Sequence, residues 1–282
     1  MRSADRYVAS ERLKVRQWDV NRAAKGTEKH WCEGNAAVTH LLNAYTMLVP
    51  ENEKFFIQTL MKVRSCLKCP ELQERVKEFI YQEAQHGVGH RHAWQILERQ
   101  GYRICGFVNF NKRWVFRSIG YLFPLPLKVS FVAAVEHINS YIAHEYLTRR
   151  ILKDADAEMR ALFEWHFAEE IEHKAVAFEV LKTYRLNYLL RIVGLLLVAP
   201  LFYLLAAWGA GLLMVQDRSW RQGRTWQGWW LHVGPGRHMF VRSLKHLARY
   251  LSPNFHPWHL DDMSQAKAAI ERSSFVLVNA SD

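Results

Sequence analysis

Two stretches of this 282-residue chain put metal-binding side chains where a helix should bury carbon. In "WHFAEEIEHKAVAF", residues 165–178, helical steps place His166, Glu170 and His173 on one stripe with Leu162 and Ala177. In "QEAQHGVGH", residues 82–90, Glu83, His86 and His90 fall on an otherwise apolar face. Each stretch contains Glu-x-x-His, a spacing that aims both side chains at one point beside the helix. A third segment puts Glu136 on the face of Val129, Val132, Ala133, Ser140 and Ala143, and a fourth carries Glu53 near its start. One Glu-x-x-His is an ordinary surface accident. Two of them, each with a glutamate to pair across a turn, point to a metal centre.

The elements that must position these residues read as helices. One covers about 35–48, and Pro50 then interrupts and opens "PENEKFFIQTLMKVRSCLKC" with acids in its first turn. After "CP" at 69–70, residues 71–99 have apolar positions at helical spacing, and Gly101 stops the run. Residues 102–126 read as irregular, a helix follows over roughly 127–152, and "DAD" at 154–156 caps a fourth that runs to about Thr183. Nothing alternates as strands do, so the fold class is all-α. The organisation expected is a charged leader and helix in 1–49, a four-helix core in 50–185, and an apolar and basic region in 186–282, all in one fold.

Register ties the acids together. Glu53 and Glu83 lie equally far from the "CLKCP" turn, and Glu136 and Glu170 equally far from "KDAD". In antiparallel hairpins each pair returns to one height, on arms about 20 Å long at ~1.5 Å per residue. Four carboxylates and two imidazoles make the ligand set of a di-iron carboxylate bundle. Four negative charges against two ferrous ions leave the interior neutral, which lets a core tolerate so many acids. Mixed carboxylate and imidazole donors suit iron, with manganese as the alternative, better than zinc.

On these residues the chain resembles the ferritin-like and ribonucleotide-reductase-like di-iron proteins. His166, Glu170 and His173 form a His-x-x-x-Glu-x-x-His pattern similar to the arylamine N-oxygenases, such as p-aminobenzoate N-oxygenase. "PENEKFF", "QEAQHGVGH", "EEIEHKAVAFEV" and "FHPWH" more closely resemble a bacterial family labelled "predicted metal-dependent hydrolase", over about residues 30–260. These resemblances imply a ferritin-like or haem-oxygenase-like bundle. They imply Glu53, Glu83, His86, Glu136, Glu170 and His173 as ligands of two iron ions, with His166 as a third nitrogen ligand. Other readings stay beside these: Glu51 in place of Glu53, His90 as ligand or channel wall, and Cys66-x-x-Cys69 as a redox pair or simply a turn. Glu145, Glu169 and Glu172 are expected in solvent or beside the ligands.

Residues 192–215 carry no charge and exceed the length that crosses a bilayer. Arg191 precedes them; Arg218, Arg221 and Arg224 follow, then Trp226, Trp229 and Trp230, an interfacial signature. Pro200 would kink a spanning helix or form the tip of a re-entrant hairpin; a buried core helix is the plain alternative. Farther on, Phe240, Leu244, Leu247 and Leu251 make an apolar stripe with Arg237, Arg242, Lys245 and Arg249 mostly off it. The net charge of +11 then fits an anionic membrane surface, and no nucleic-acid motif is present. Without a secretory leader, and with four cysteines that make no disulfide framework, the expected place is the cytoplasmic side of the inner membrane. The function expected is a membrane-associated oxidoreductase that uses dioxygen and an unnamed electron donor. Its substrate would be apolar or lipid-like, and its reaction hydroxylation, desaturation or N-oxygenation. The alternative is a hydrolase using a metal-bridged hydroxide. Iron storage ranks last, and a homodimer fits either reaction.

Overall fold

A computed structural model describes residues 13–17, 26–234, 238–272 and 276–277. The fold is all-α. Its helices are α1 (Ala36–Arg64), α2 (Pro70–Arg99), α3 (Cys105–Phe110), α4 (Arg117–Leu122), α5 (Leu125–Thr148), α6 (Ala157–His173), α7 (Val176–Lys182), α8 (Asn187–Gln216), α9 (Gly223–His232), α10 (Met239–Tyr250) and α11 (Met263–Arg272). A two-stranded antiparallel ribbon joins Arg16–Gln17 to Val276–Leu277. Most of the expected leader, the side chain of Phe240 and the whole of Arg237 lie outside the described residues.

Local chemistry explains the starts. Asn35 caps α1 by accepting from the amides of Ala37 and Val38, and Asp156 caps α6 by accepting from Glu158 and Met159. Pro70 begins α2, where its missing N–H costs nothing. The interruption expected at Pro50 does not occur: α1 runs through it. Proline at 50 leaves the Thr46 carbonyl without its intrahelical donor, and the Trp94 indole N–H of α2 fills that place at 2.9 Å. The interior proline is thus compatible with the helix because a neighbour supplies the lost hydrogen bond.

Two further expectations change. Residues 102–126 are largely helical, with α3 and α4 joined by a π-helical stretch, Asn111–Phe116, that shifts the side-chain period and hides it from a 3.6-residue reading. The fourth helix of the core ends at His173 and resumes at Val176. Lys174, in that break, is buried and bonds to Asp262 and the Leu260 carbonyl, contacts a continuous helix has no reason to reserve.

Helices α1 and α2 form one hairpin, α5 and α6 the other, with Phe56, Phe79, Ile138, Phe163 and Trp165 fully buried between them. Helix α8 lies along α1 and α5. It passes Ser130 of α5 at Gly194, where an added Cβ would come within 2.8 Å of the Ser130 carbonyl oxygen, and Ala44 and Met47 of α1 at Gly209. By length and composition α8 can cross a membrane, yet 39% of its most apolar stretch is buried against the protein. The remainder, including Leu196, Leu197, Leu204 and Trp208, faces outward. The helix continues through Pro200, so no re-entrant tip forms there. In α10 the packed face is Ser243, His246 and Tyr250; Leu244 and Leu251 of the expected stripe are exposed.

Trp94→Phe removes the indole donor and leaves the Thr46 carbonyl unsatisfied, a loss of about 1–2 kcal/mol. Adding Pro50→Ala restores a backbone donor, so the double variant should recover part of that loss. Thermal unfolding of the four proteins of the cycle checks this; strict additivity would refute the carbonyl assignment.

Candidate metal centre

All seven residues singled out from sequence converge in the interior of the two hairpins, and Glu53, at 3% exposure, is the most exposed of them. They fall into two groups, Glu53 with His86 and His166, and Glu83 with Glu136, Glu170 and His173, whose donor atoms lie within 4.8 Å of one another in each group.

Individual atoms assign roles. Glu170 turns Oε1 toward His166 Nε2 (3.0 Å) and Oε2 toward His173 Nε2 (3.3 Å). Glu83 likewise faces His173 with Oε1 (3.4 Å) and His86 Nδ1 with Oε2 (3.8 Å). These two carboxylates therefore straddle the groups, as bridging ligands do. Glu53 stands at one end, 3.6 Å from His86 Nδ1, and Glu136 at the other, 3.2 Å from His173 Nε2.

The donor atoms fit metal ions for a physical reason. Both oxygens of Glu53, Glu83 and Glu136, Oε2 of Glu170, Nδ1 of His86 and Nε2 of His173 are buried with no hydrogen-bond partner. Such atoms are expensive unless something of opposite charge lies between them. With no such charge, burial and then repulsion from Glu170 push the Glu53, Glu83 and Glu136 carboxyls well above their usual range. Burial also holds His86 down to about 3, leaving a neutral imidazole with a lone pair to offer.

The outward nitrogens are already committed. His86 Nε2 donates to Glu169 at 2.9 Å, which leaves Nδ1 facing the centre. His173 Nδ1 donates to Gln82 Oε1 at 3.2 Å, which leaves Nε2 facing it. Partners of this kind fix ring tautomer and orientation at metal sites. Glu169 and Glu172 are accordingly not in solvent: the buried Arg16 guanidinium donates to Glu169 at 3.0 Å and grips both oxygens of Glu172 at 2.8 and 2.9 Å. Arg16 sits in the short ribbon, and no motif in the sequence announces it. Glu145 is buried away from the centre against Arg149 and Arg242.

His166 differs from the other six. Its Nε2 lies 2.9 Å from the Tyr45 hydroxyl as well as 3.0 Å from Glu170, and its Nδ1 lies 3.1 Å from His90 Nε2. Neither nitrogen is without a partner. His90 continues to Thr46 Oγ1 at 3.2 Å, so Tyr45, His166, His90 and Thr46 form one hydrogen-bonded file beside the centre.

Sequence reading missed a third cluster, His30, His40 and Asp217, because its members are far apart in the chain. Asp217 Oδ2 there accepts from both histidines (2.8 and 2.9 Å) and from the Tyr102 hydroxyl (2.9 Å), and Oδ1 accepts from the Ser219 amide. A metal on His40 Nε2 would move the ring proton to the buried Nδ1, which has no acceptor. This cluster is a hydrogen-bonded clamp holding the end of α8.

Over residues 14–261 the chain matches the family described as "Predicted metal-dependent hydrolase". No curated protein and no solved structure matches it.

Elemental analysis of variants checks the roles. The native protein is expected to bind about two ions. Glu83→Ala and Glu170→Ala, which remove a carboxylate facing both groups, should leave less than about half an equivalent; Glu53→Ala and Glu136→Ala should each leave about one. His166→Ala should retain both ions and lose about 1–3 kcal/mol of stability. Loss of metal in His166→Ala would instead make His166 a ligand.

Proposed function

Because the chain belongs to the predicted metal-dependent hydrolase family, we propose that it is a metal-dependent enzyme whose α1, α2, α5 and α6 hold two metal ions, iron or in its place manganese. The observation that carries this reading is the inward set of buried carboxylate and imidazole atoms with no protein partner. When bound, a pair of iron ions supplies redox chemistry with dioxygen, and a pair of either metal supplies Lewis acidity toward water.

The chain's own residues set the conditions. Glu83 and Glu170 hold the two positions at a fixed separation, while Glu169 and Gln82 hold His86 and His173 in orientation. Trp165 lies edge-on to His86 at 5.0 Å and Phe79 against His173 at 4.7 Å, so aromatic walls exclude bulk water. The Tyr45–His166–His90 file offers a path for protons that avoids solvent.

Two reaction types fit. The family's description supports hydrolysis. The geometry supports oxidation of an apolar group better, because a hydrolase must admit water and a polar bond. Here the ligands are dry, and the cavity beside Asn52 and Val135, neighbours in the chain of Glu53 and Glu136, is apolar. Anaerobic loading with ferrous ion followed by air should consume about one dioxygen per pair of ions and produce new absorbance. Ester or amide cleavage without dioxygen uptake, supported equally by zinc, would establish the hydrolytic reading.

Association with the cytoplasmic leaflet of a membrane completes the proposal. Outward leucines of α8 and the exposed Trp220, Trp226, Trp229 and Trp230, with Arg218, Arg221 and Arg224 near the tryptophans in the chain, offer the apolar and basic surface such an association uses. Since α8 also packs along the bundle, this face would lie on one leaflet rather than cross it. Leu196→Glu with Leu204→Glu, both outward, should shift the protein from the membrane pellet to the supernatant with its fold retained. A native protein that is monodisperse without detergent would refute the association.

A further inference from the structure

An apolar cavity lies between α1, α5, α8 and the π-helical stretch; about 40 Å³ of it is enclosed, and about 440 Å³ is reached only when the open space at its mouth is included. Asn52 is its single polar lining residue. Its wall is linked to the centre through chain neighbours and through Tyr45. Asn52, Phe56 and Val135 come from the turns that carry Glu53 and Glu136, and Phe202 touches the Tyr45 ring (centroids 6.4 Å), whose hydroxyl contacts His166.

Phe55 and Phe116 of this wall also line a second, open cavity of about 440 Å³. Its character is opposite: Lys54, Lys112, Arg113 and Arg117 surround it, with Glu51 the one carboxylate. Among the described residues none of these four cations has an acid within ion-pair distance, and no side-chain hydrogen bond engages them. The π-helical stretch makes the junction. It sends Val115 and Phe116 to the apolar chamber while Lys112 and Arg113 line the basic one. Such stretches are rare and concentrate at functional sites.

We propose that the two cavities together are one binding site for an anionic amphiphile. An unbranched aliphatic tail occupies the apolar chamber, whose wall includes the chain neighbours of Glu53 and Glu136, and its carboxylate or phosphate head sits among Lys54, Lys112, Arg113 and Arg117. The apolar lining and unpaired cations are the two halves of that ligand. The site names the substrate class for the oxidative reading of the dinuclear centre and rests on that reading for what becomes of the tail. Binding itself needs no metal.

The test uses full-length protein in an uncharged detergent below its micelle concentration, metal-free and metal-loaded, with metal content measured separately. Titration with octanoate, decanoate and dodecanoate should show affinity rising about two- to fourfold per methylene, and dodecanol should bind at least about tenfold more weakly than dodecanoate. Arg113→Glu with Arg117→Glu should bring dodecanoate down to the dodecanol level. Leu205→Trp, which fills the chamber, should weaken both about tenfold or more while the metal count stays the same. A diazirine-tagged dodecanoate gives a readout on the native chain that no variant's folding can confuse: label on Phe55, Phe116 or Leu201 supports the site. Label confined to the outer face of α8, or equal affinity for acid and alcohol, overturns it. Vesicles of phosphatidylglycerol that compete with dodecanoate would identify the source as membrane lipid, and vesicles that do not would identify a free amphiphile. Tail binding with no bound metal in the loaded protein would refute the centre and leave this site standing.

Discussion

Four glutamates share a dry interior, and nothing among the described residues neutralises them all. An isolated buried carboxylate costs several kcal/mol, and neighbouring carboxylates add repulsion that low-dielectric surroundings do not screen. Glu53, Glu83, Glu136 and Glu170 nevertheless sit together with most of their oxygens unpaired, beside imidazole nitrogens that also lack hydrogen-bond partners. Metal cations held between the two groups would give these atoms the partners the protein does not supply. The hairpin registers, the outer hydrogen bonds to Glu169 and Gln82, and the aromatic walls of Phe79 and Trp165 all follow from holding that arrangement in place.

The surrounding helices bend their own rules to keep it. Helix α1 carries Pro50 one turn before Glu53 and stays whole through a hydrogen bond borrowed from Trp94. Helix α6 ends at His173, the last of the seven interior residues, and Lys174 turns away to Asp262. Gly87 leaves room for Glu53, since an added Cβ would meet Glu53 Oε2 at 3.2 Å. The long-range tie is Arg16, whose guanidinium links the ribbon to Glu169 and through it to His86.

Hydrogen-bonding side chains (Glu169, Gln82, Tyr45 and His90) and aromatic rings surround the seven interior residues. An apolar chamber lies under α8, basic side chains line the open cavity at the π-helical stretch, and leucines of α8 and several tryptophans are exposed. Helix α8 serves two environments: glycines and small residues seat it on α1 and α5, and bulky residues face away. Neither a buried core helix nor a free spanning helix has that division.

The all-α class, the two hairpins and the seven interior residues were legible in the chain itself. Helical periodicity is a local property, and two residues equidistant from a turn must return to the same height. That Glu83 and Glu170 each face rings of both groups, while Glu53 and Glu136 stand at the ends, was not legible, because it depends on which ring each oxygen faces. The same holds for Arg16 and for the His30–His40–Asp217 clamp, whose members are brought together across more than a hundred residues by packing alone. The irregular reading of 102–126 and the break read into Pro50 failed for a related reason. Each was judged from its own segment, while a π-turn's shifted period and a neighbouring indole decided the outcome. Sequence by itself determined which residues can bind metal and on which faces they lie. Which atoms they turn inward, and what stands behind them, only the tertiary structure decided, because those choices depend on partners distant in the chain.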